Sequence, residues 1–338
     1  MNHFKSYARL RIISTVFFFF CFTIGSISAQ NDSIKTQIPS EITLYAMPTL
    51  FPLNWESPAK LFESMQKCYL KTMFVSSNYL LGHVAVKITT PLIEKPLLLA
   101  MTASDPLQRI RLVLSEKIGF GILGTALYGK IESENHLENH LKVYANKGKL
   151  AFITFQINEK AAQRILAFID QFTHPNGNNA ASSSYYGGTF WPRYDHEGAG
   201  CSAFGLALLD VAHLRFSETD QWQINVKIPM KIIGGEFNHH KKIRNSTILN
   251  TKSWYEESGR ENSDYVAFKI YDPSIMFNWI IKKRLQNDSL YHAIEVDGVP
   301  GLYVDARNVT VDPDEPLFVQ RPDSNLFIIK FYEKYLHK

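Results

Sequence analysis

The chain has 338 residues, which is enough for a sizeable core in one large domain or two ordinary domains. Its formal net charge is +4, and three of its basic residues lie within the first eleven positions. The rest of the chain is therefore close to neutral, and its charge gives no reason to expect nucleic acid or an anionic membrane surface as a partner.

The first 29 residues have the composition of a secretory signal peptide. Lys5, Arg9 and Arg11 precede the apolar run IISTVFFFFCFTI, and small residues follow as far as Ala29. The run is shorter than the roughly 20 apolar residues that a membrane-spanning helix needs. We therefore expect cleavage after Ala29 and a periplasmic or secreted protein without an integral membrane segment. A retained N-terminal anchor is the alternative.

Two cysteines follow the predicted signal peptide, Cys68 and Cys201. A small domain held together by disulfides would contain more. Cys68 lies on the apolar stripe of a helix predicted over 57–74, which favours a buried, inert thiol. A Cys68–Cys201 disulfide is an open alternative for an exported protein.

The first predicted strand covers residues 79–88, where apolar side chains alternate. His83 opens the alternating part directly after Gly82, so we expect its ring to be accessible at a sheet edge. A second strand is predicted over 95–104. The glycine-rich stretch 116–132 is typical of tight turns, and it lacks the G-x-G-x-x-G spacing of a nucleotide site.

Strands and helices are mixed along the rest of the chain. A helix is predicted over 158–172 with Asn158 as its N-cap, and others begin at Cys201 and after Asp272. Further strands are predicted over 149–157, 222–233 and 264–272. The elements do not alternate regularly as βαβ units, which favours an α+β fold.

The stretch EGAGCSAFGLALLDVA places Cys201 between small residues and an apolar helix. A thiol at a helix N-terminus has a lowered pKa, because the peptide dipoles and unpaired N–H groups stabilise thiolate. Gly198 and Gly200 would let a substrate carbonyl approach backbone N–H groups that serve as an oxyanion hole. His83 is a candidate base for such a nucleophile. From these residues alone, a purely structural cysteine is the more common alternative.

Four short motifs occur in a recognisable order: LLGHVAVKI, IGFGILGTALYGKI, LAFITFQINEKAAQRILAFID and GAGCSAFGLALLD. Their order resembles that of the Lnb N-terminal periplasmic domain family, a circularly permuted branch of the NlpC-type papain-like cysteine hydrolases. The resemblance covers roughly residues 75–215. It implies an α+β fold in which residues 30–215 form a permuted papain-like core, with an antiparallel sheet packed on the cysteine helix. Residues 216–338 would be a C-terminal α+β extension, packed on that domain or completing it.

The resemblance also implies roles for single residues. Cys201 matches the nucleophile and His83 the general base, and a third polar residue should orient the imidazole. Thr102, on the strand after the histidine strand, and Glu132, after the glycine-rich stretch, are the two candidates for that position. Gly200 stands where relatives typically carry Asn. The candidate substrate-binding residues surround the nucleophile and the base: Gly82, Trp191, Tyr194, His196, Gly198 and Gly200.

The sequence ENHLENHL places His136 and His140 four residues apart, a spacing that could bind zinc from one face of a helix. The zincin spacing is H-E-x-x-H, whereas Glu138 here lies midway between the two histidines. A solvated amphipathic helix is the better interpretation, and we expect neither a metal nor a cofactor.

Two functions follow from the sequence. The first is a cysteine hydrolase that cleaves an amide or ester bond in a peptide, glycan or lipid substrate of the cell envelope, through an acyl-enzyme on Cys201. Transfer of the acyl group to an acceptor other than water would use the same site. The second is a catalytically inactive envelope module that binds a partner or has a structural role and keeps the fold.

Overall fold

The computed structural model describes residues 38–72, 81–175, 177–323 and 325–336, all of which belong to one compact unit. The predicted signal peptide lies outside these residues. The fold is α+β, with 37% of the described residues helical and 24% in strands. None of the described helices has the length and apolar character needed to cross a membrane.

The strands within the described residues are β1 (Ser40–Met47), β2 (His83–Thr89), β3 (Leu97–Leu99), β4 (Met101–Ala103), β5 (Leu127–Ile131), β6 (Ala151–Ile157), β7 (Tyr185–Tyr186), β8 (Gln223–Pro229), β9 (Tyr265–Tyr271), β10 (His292–Val296) and β11 (Val299–Asp305). The α-helices are α1 (Pro58–Thr72), α2 (Pro106–Ile110), α3 (Glu134–Asn146), α4 (Glu159–Thr173), α5 (Cys201–Val211), α6 (Asn245–Leu249), α7 (Pro273–Lys283) and α8 (Leu326–Tyr335). A π-helical turn, Arg111–Ser115, continues directly from α2.

The main sheet has six strands in the order β10-β11-β6-β1-β2-β3. β1 runs antiparallel to both of its neighbours, β2 and β6. β11, however, pairs with β6 in parallel, so the sheet is mixed and the prediction of an antiparallel sheet was wrong for this pair. Parallel pairing requires a crossover connection, and here the chain makes several other elements between β6 and β11.

Helices cover both faces of this sheet, which is why β1 and β2 are buried almost throughout. On one face, Leu44 and Val84 share a core with Phe204 of α5 and with residues of α4 and α7. On the other face, Ala85 packs with Leu137 of α3. The cysteine helix therefore lies directly against the histidine strand.

The C-terminal residues contribute to the same sheet and cores. β10 and β11 extend the main sheet beyond β6, and Leu302 shares the core that contains α5. The antiparallel pair of β8 and β9 packs with α8 through Phe268 and Phe327 in a second core. Residues 216–338 thus lie within the same unit as the cysteine helix.

The structure confirms several helices that were predicted from their capping residues. The Asn158 side chain caps α4 by accepting a hydrogen bond from Ala161 N at 3.0 Å, and Asp272 caps α7 in the same way. The single strand predicted over 95–104 was wrong. It divides at Ala100 into β3, which pairs with β2, and β4, which leaves the main sheet to pair with β5.

Candidate active site

Cys201 is the first residue of α5, as the sequence predicts, and Gly200 precedes it in an extended conformation. The N–H groups of the first helical turn have no partners within a helix, and they point out of its positive end. The loop before the helix is fixed to β7, where Ala199 N donates to Tyr185 O at 3.2 Å. Gly198 permits this contact, because a Cβ there would lie only 1.9 Å from Tyr185 O.

His83 is the first residue of β2, and its neighbour Gly82 has a φ of +75°. A Cβ at Gly82 would lie 2.8 Å from Met47 O, so the turn that delivers the histidine requires glycine. The expectation of an accessible ring at a sheet edge was wrong. β2 lies between β1 and β3, and His83 is only 3% exposed.

Glu132 is the carboxylate that contacts the imidazole. Its Oε2 lies 3.0 Å from His83 Nε2, which leaves Nδ1 as the ring nitrogen available to the thiol. Glu132 follows β5 directly, and its backbone N–H donates to Ala100 O at 2.9 Å, where β3 and β4 divide. Its side chain is 6% exposed, so the pair with His83 is shielded from water.

Thr102, the other candidate for this position, lies on β4 opposite Lys130. The β2–β3 register pairs Val86 with Leu99. Had that ladder continued, it would have brought Thr102 opposite His83. The chain leaves the sheet at Ala100 instead, and the structure brings Glu132 rather than Thr102 to the imidazole.

The thiol and the imidazole are electrostatically linked. Burial alone would raise the pKa of the Cys201 thiol, but the imidazolium of His83 and hydrogen bonds from His83, the Val84 backbone and Tyr186 lower it overall. Burial would likewise lower the pKa of His83, yet the Cys201 thiolate and the Glu132 carboxylate raise it to about 9. The arrangement therefore favours a thiolate–imidazolium pair at neutral pH.

Tyr186 contributes a further contact that the sequence did not indicate. Its hydroxyl donates to Cys201 Sγ over 4.0 Å. Burial, followed by the neighbouring thiolate charge, raises the pKa of Tyr186 well above its usual value, so the phenol is a neutral donor. It is positioned by β7, where it pairs with Leu127 of β5.

His136 also belongs to this cluster. Its Nε2 lies 3.2 Å from Glu132 Oε1, so the carboxylate bridges His83 and His136. The His136 ring stacks on His140 with centroids 4.4 Å apart. The two histidines lie on α3, as predicted, and no group of three His, Cys, Asp or Glu residues suited to holding a metal ion occurs in the part of the chain described. The i, i+4 spacing of Glu132 and His136 was the available sequence signal for their contact.

A buried ion pair holds the loop that leads to the nucleophile. Glu197 is completely buried, and its carboxylate accepts from Arg321 Nε at 2.6 Å and Arg321 Nη2 at 2.8 Å. The Tyr332 hydroxyl donates to the same carboxylate at 3.0 Å. Arg321 and Tyr332 lie 124 and 135 positions further along the chain than Glu197. They thus fix the segment that begins four residues before Cys201.

The aromatic residues predicted to bind substrate are tied to the C-terminal residues. Tyr194 lies beneath the Arg321 guanidinium at 4.5 Å and forms a bridge with Val319. Trp191 packs against Tyr271 with ring centroids 5.9 Å apart. His196 occupies a turn with a φ of +60°. Trp191 and Tyr194 therefore pack the loop against the C-terminal residues.

Cys68 and Cys201, the two cysteines among the described residues, are not joined in a disulfide. Cys68 is buried on α1, where it donates to Phe51 O at 3.3 Å, and burial raises its pKa. The open alternative of a Cys68–Cys201 disulfide is therefore not the state of this structure, and the two thiols have opposite electrostatic environments.

A surface cavity of about 410 Å³ lies beside α1, away from the residues that carry the chemistry. Its lining is made of Phe51, Pro52, Asn54, Lys60, Glu63, Ser64 and Lys67. None of these belongs to the Cys201–His83–Glu132 cluster, so we place the candidate site at the cluster and not at this cavity.

Compared with protein-family models, with curated proteins and with solved structures, the chain matches none.

Proposed function

We propose that the protein is a cysteine hydrolase that cleaves an amide or ester bond. The observation that carries this proposal is the buried chain of contacts from Glu132 through His83 to Cys201. Three separate segments of the sequence supply these residues. A buried carboxylate, an imidazole and a thiol at a helix start form the set that activates a sulfur nucleophile.

The chemistry follows from the positions of these groups. The Cys201 thiolate attacks the substrate carbonyl carbon, and the resulting oxyanion faces the N–H groups at the start of α5. The imidazolium of His83 gives its proton to the leaving amine or alcohol as the carbon–heteroatom bond breaks, which leaves an acyl thioester on Cys201. His83 then takes a proton from water as the water oxygen attacks the thioester carbonyl. The C–S bond breaks, the acyl group leaves as a carboxylic acid, and the Cys201 thiolate is restored beside the His83 imidazolium.

The order of the elements supports a circularly permuted papain-like core. The histidine strand β2 comes first, Glu132 follows β5, and the cysteine helix α5 comes last and packs on β2. In this proposal the main sheet and α5 are the core, and the C-terminal residues complete it. Their ion pair with Glu197 then holds the loop before the nucleophile.

The signal peptide predicted from the sequence sets the proposed compartment, which is the periplasm or the exterior. Envelope peptides, glycans and lipid-linked amides or esters are the substrate classes found there. If the acyl group passes to an amine or alcohol instead of water, the acyl-enzyme is the same and the products differ.

A simple ester tests the proposal without knowledge of the natural substrate. With p-nitrophenyl acetate we expect a burst of p-nitrophenolate and one acetyl group on Cys201, detected by intact mass and peptide mapping. Cys201→Ser should lose the burst, and His83→Ala should reduce it by about 10²-fold or more. Cys68→Ala is the matched control and should retain it. A wild-type protein that forms no acetyl adduct on Cys201 would contradict the proposal.

The second candidate is a catalytically inactive envelope module with the same fold. The observation in its favour is that Cys201 is only 7% exposed. In that case, Cys201→Ala would change neither stability nor partner binding by much, and no acyl adduct would form. The ester experiment therefore separates the two functions.

A further inference from the structure

Arg109 is a partly buried cation that has no anionic partner among the described residues. Its Nε is fully buried and has no hydrogen-bond acceptor, and no carboxylate within the described residues forms an ion pair with its guanidinium. The Tyr69 ring lies 5.8 Å from its Cζ, which supports the charge on one face but accepts no hydrogen bond in the guanidinium plane. A buried donor left unsatisfied in this way is costly, so the site calls for an acceptor.

The buried arginines elsewhere in the described chain do not share this property. Arg193 lies 2.6 Å from an Asp210 carboxylate oxygen, and Arg164 lies 3.4 Å from a Glu315 oxygen. Arg321 is paired with Glu197 on two of its nitrogens. The fold thus gives these guanidinium groups protein acceptors, as it does the partly buried Arg284, which donates to two backbone carbonyls. Arg109 Nε differs from them in having no acceptor among the described residues.

The surrounding hydrogen bonds place Arg109 on the β5–β7 side of the nucleophile. Its helix, α2, is capped by Asp105, and the neighbouring Gln108 side chain accepts from Tyr128 N at 2.9 Å. Tyr128 adjoins Leu127, which pairs with Tyr186 across β5 and β7. The Tyr186 hydroxyl in turn contacts Cys201 Sγ. Burial and the neighbouring Cys201 thiolate raise the pKa of Tyr186, whereas the positive charge of Arg109 lowers it.

We propose that Arg109 binds an oxyanion of the substrate, a carboxylate or a phosphate, next to the acyl group that Cys201 attacks. This inference rests on the proposed hydrolase function and adds the substrate class. A guanidinium presents parallel N–H donors that match either oxyanion. The substrate is therefore an acyl compound that carries a negative group close to its scissile bond.

Two alkylating reagents that differ only in charge test this inference. Iodoacetate and iodoacetamide both lose iodide as the thiolate forms the new C–S bond, and only iodoacetate carries a carboxylate. We measure the rate of each with Cys201 in the native protein at pH 6.5, by mass spectrometry, and take their ratio. Arg109→Gln should lower the iodoacetate-to-iodoacetamide ratio by about tenfold or more, and Arg109→Lys should retain part of it.

Arg111→Gln is the matched control, because this exposed arginine lies two residues further along the same helical segment. Its ratio should equal that of the wild type. If Arg109→Gln leaves the ratio unchanged while iodoacetamide still reacts rapidly, the Arg109 inference is wrong and the hydrolase proposal stands. If neither reagent labels Cys201 faster than a free thiol below pH 7, the hydrolase proposal fails, and this inference fails with it.

A second measurement requires no variant, so it applies even if Arg109→Gln does not fold. Wild-type Cys201 is labelled with iodoacetamide in the presence of succinate, inorganic phosphate or neutral succinamide at constant ionic strength. Slower labelling with succinate identifies a carboxylate group, and slower labelling with phosphate identifies a phosphate group. Equal rates in all three solutions would overturn the inference.

Discussion

Glu132→Gln is the substitution that tests the site most sharply, because it keeps the size of the side chain and removes its charge. In the wild type, Glu132 Oε2 lies 3.0 Å from His83 Nε2, and both groups are buried. A hydrogen bond between charged groups contributes roughly 1.5–3 kcal/mol. Since about 1.4 kcal/mol corresponds to one pKa unit, the variant should lower the pKa of His83 by about one unit or more. The thiolate–imidazolium pair should lose a similar amount of free energy.

The assay is the rate of ester cleavage between pH 5 and pH 10, in which His83 gives its proton to the leaving group. We expect the alkaline limb of the Glu132→Gln profile to lie at about pH 8 or below instead of about pH 9, because the imidazolium is lost at a lower pH. Glu134→Gln is the matched control, because Glu134 is an exposed acid two residues away on α3. Identical profiles for wild type and Glu132→Gln would refute the assignment of Glu132 as the residue that orients His83.

Further predictions concern pH, the buried ion pair and the glycine before the nucleophile. The pKa of His83 is raised to about 9, and above that pH His83 loses the proton that it gives to the leaving group. The rate of ester cleavage should therefore fall as the pH rises through about 9. The rate of alkylation should not fall, because it needs no proton from His83. A pH–rate profile without that alkaline limb would contradict this assignment. Arg321→Met leaves the buried Glu197 charge unpaired and should cost about 3–5 kcal/mol in urea unfolding, part of which the added change Glu197→Gln should restore. Equal stability of wild type and single variant would show that the pair does not support the loop. Gly198→Ala places a Cβ 1.9 Å from Tyr185 O and should displace the loop and abolish rapid Cys201 labelling, whereas Gly200→Ala, at 3.3 Å from Gly187 O, should be milder.

Local signals were sufficient for much of the fold. The apolar stripe and Asn158 predict α4, and Asp272 with Pro273 predicts α7, because helix caps depend on neighbours within three residues. The start of α5 at Cys201 follows from the small residues before it and the apolar spacing after it. The general α+β class follows from the mixture of elements.

Contacts between distant segments could not be predicted from such local signals. β3 and β4 have three residues each, too few for a period to show that they belong to different sheets. Because the chain leaves the main sheet at Ala100, Glu132 and not Thr102 contacts the His83 imidazole. Nothing local to Glu197 indicates Arg321 as its partner, because the two lie 124 residues apart. The parallel pairing of β11 likewise depends on a long crossover that the sequence pattern does not encode.

The proposed function depends on Cys201 being an activated thiolate paired with His83. The most direct test is the rate at which each thiol of the native protein reacts with iodoacetamide from pH 5 to pH 9, with the buried Cys68 as an internal reference. We expect rapid labelling of Cys201 below pH 7, its loss in His83→Ala, and slow labelling of Cys68 throughout. A Cys201 that labels as slowly as Cys68 at every pH, in a folded protein, would contradict it.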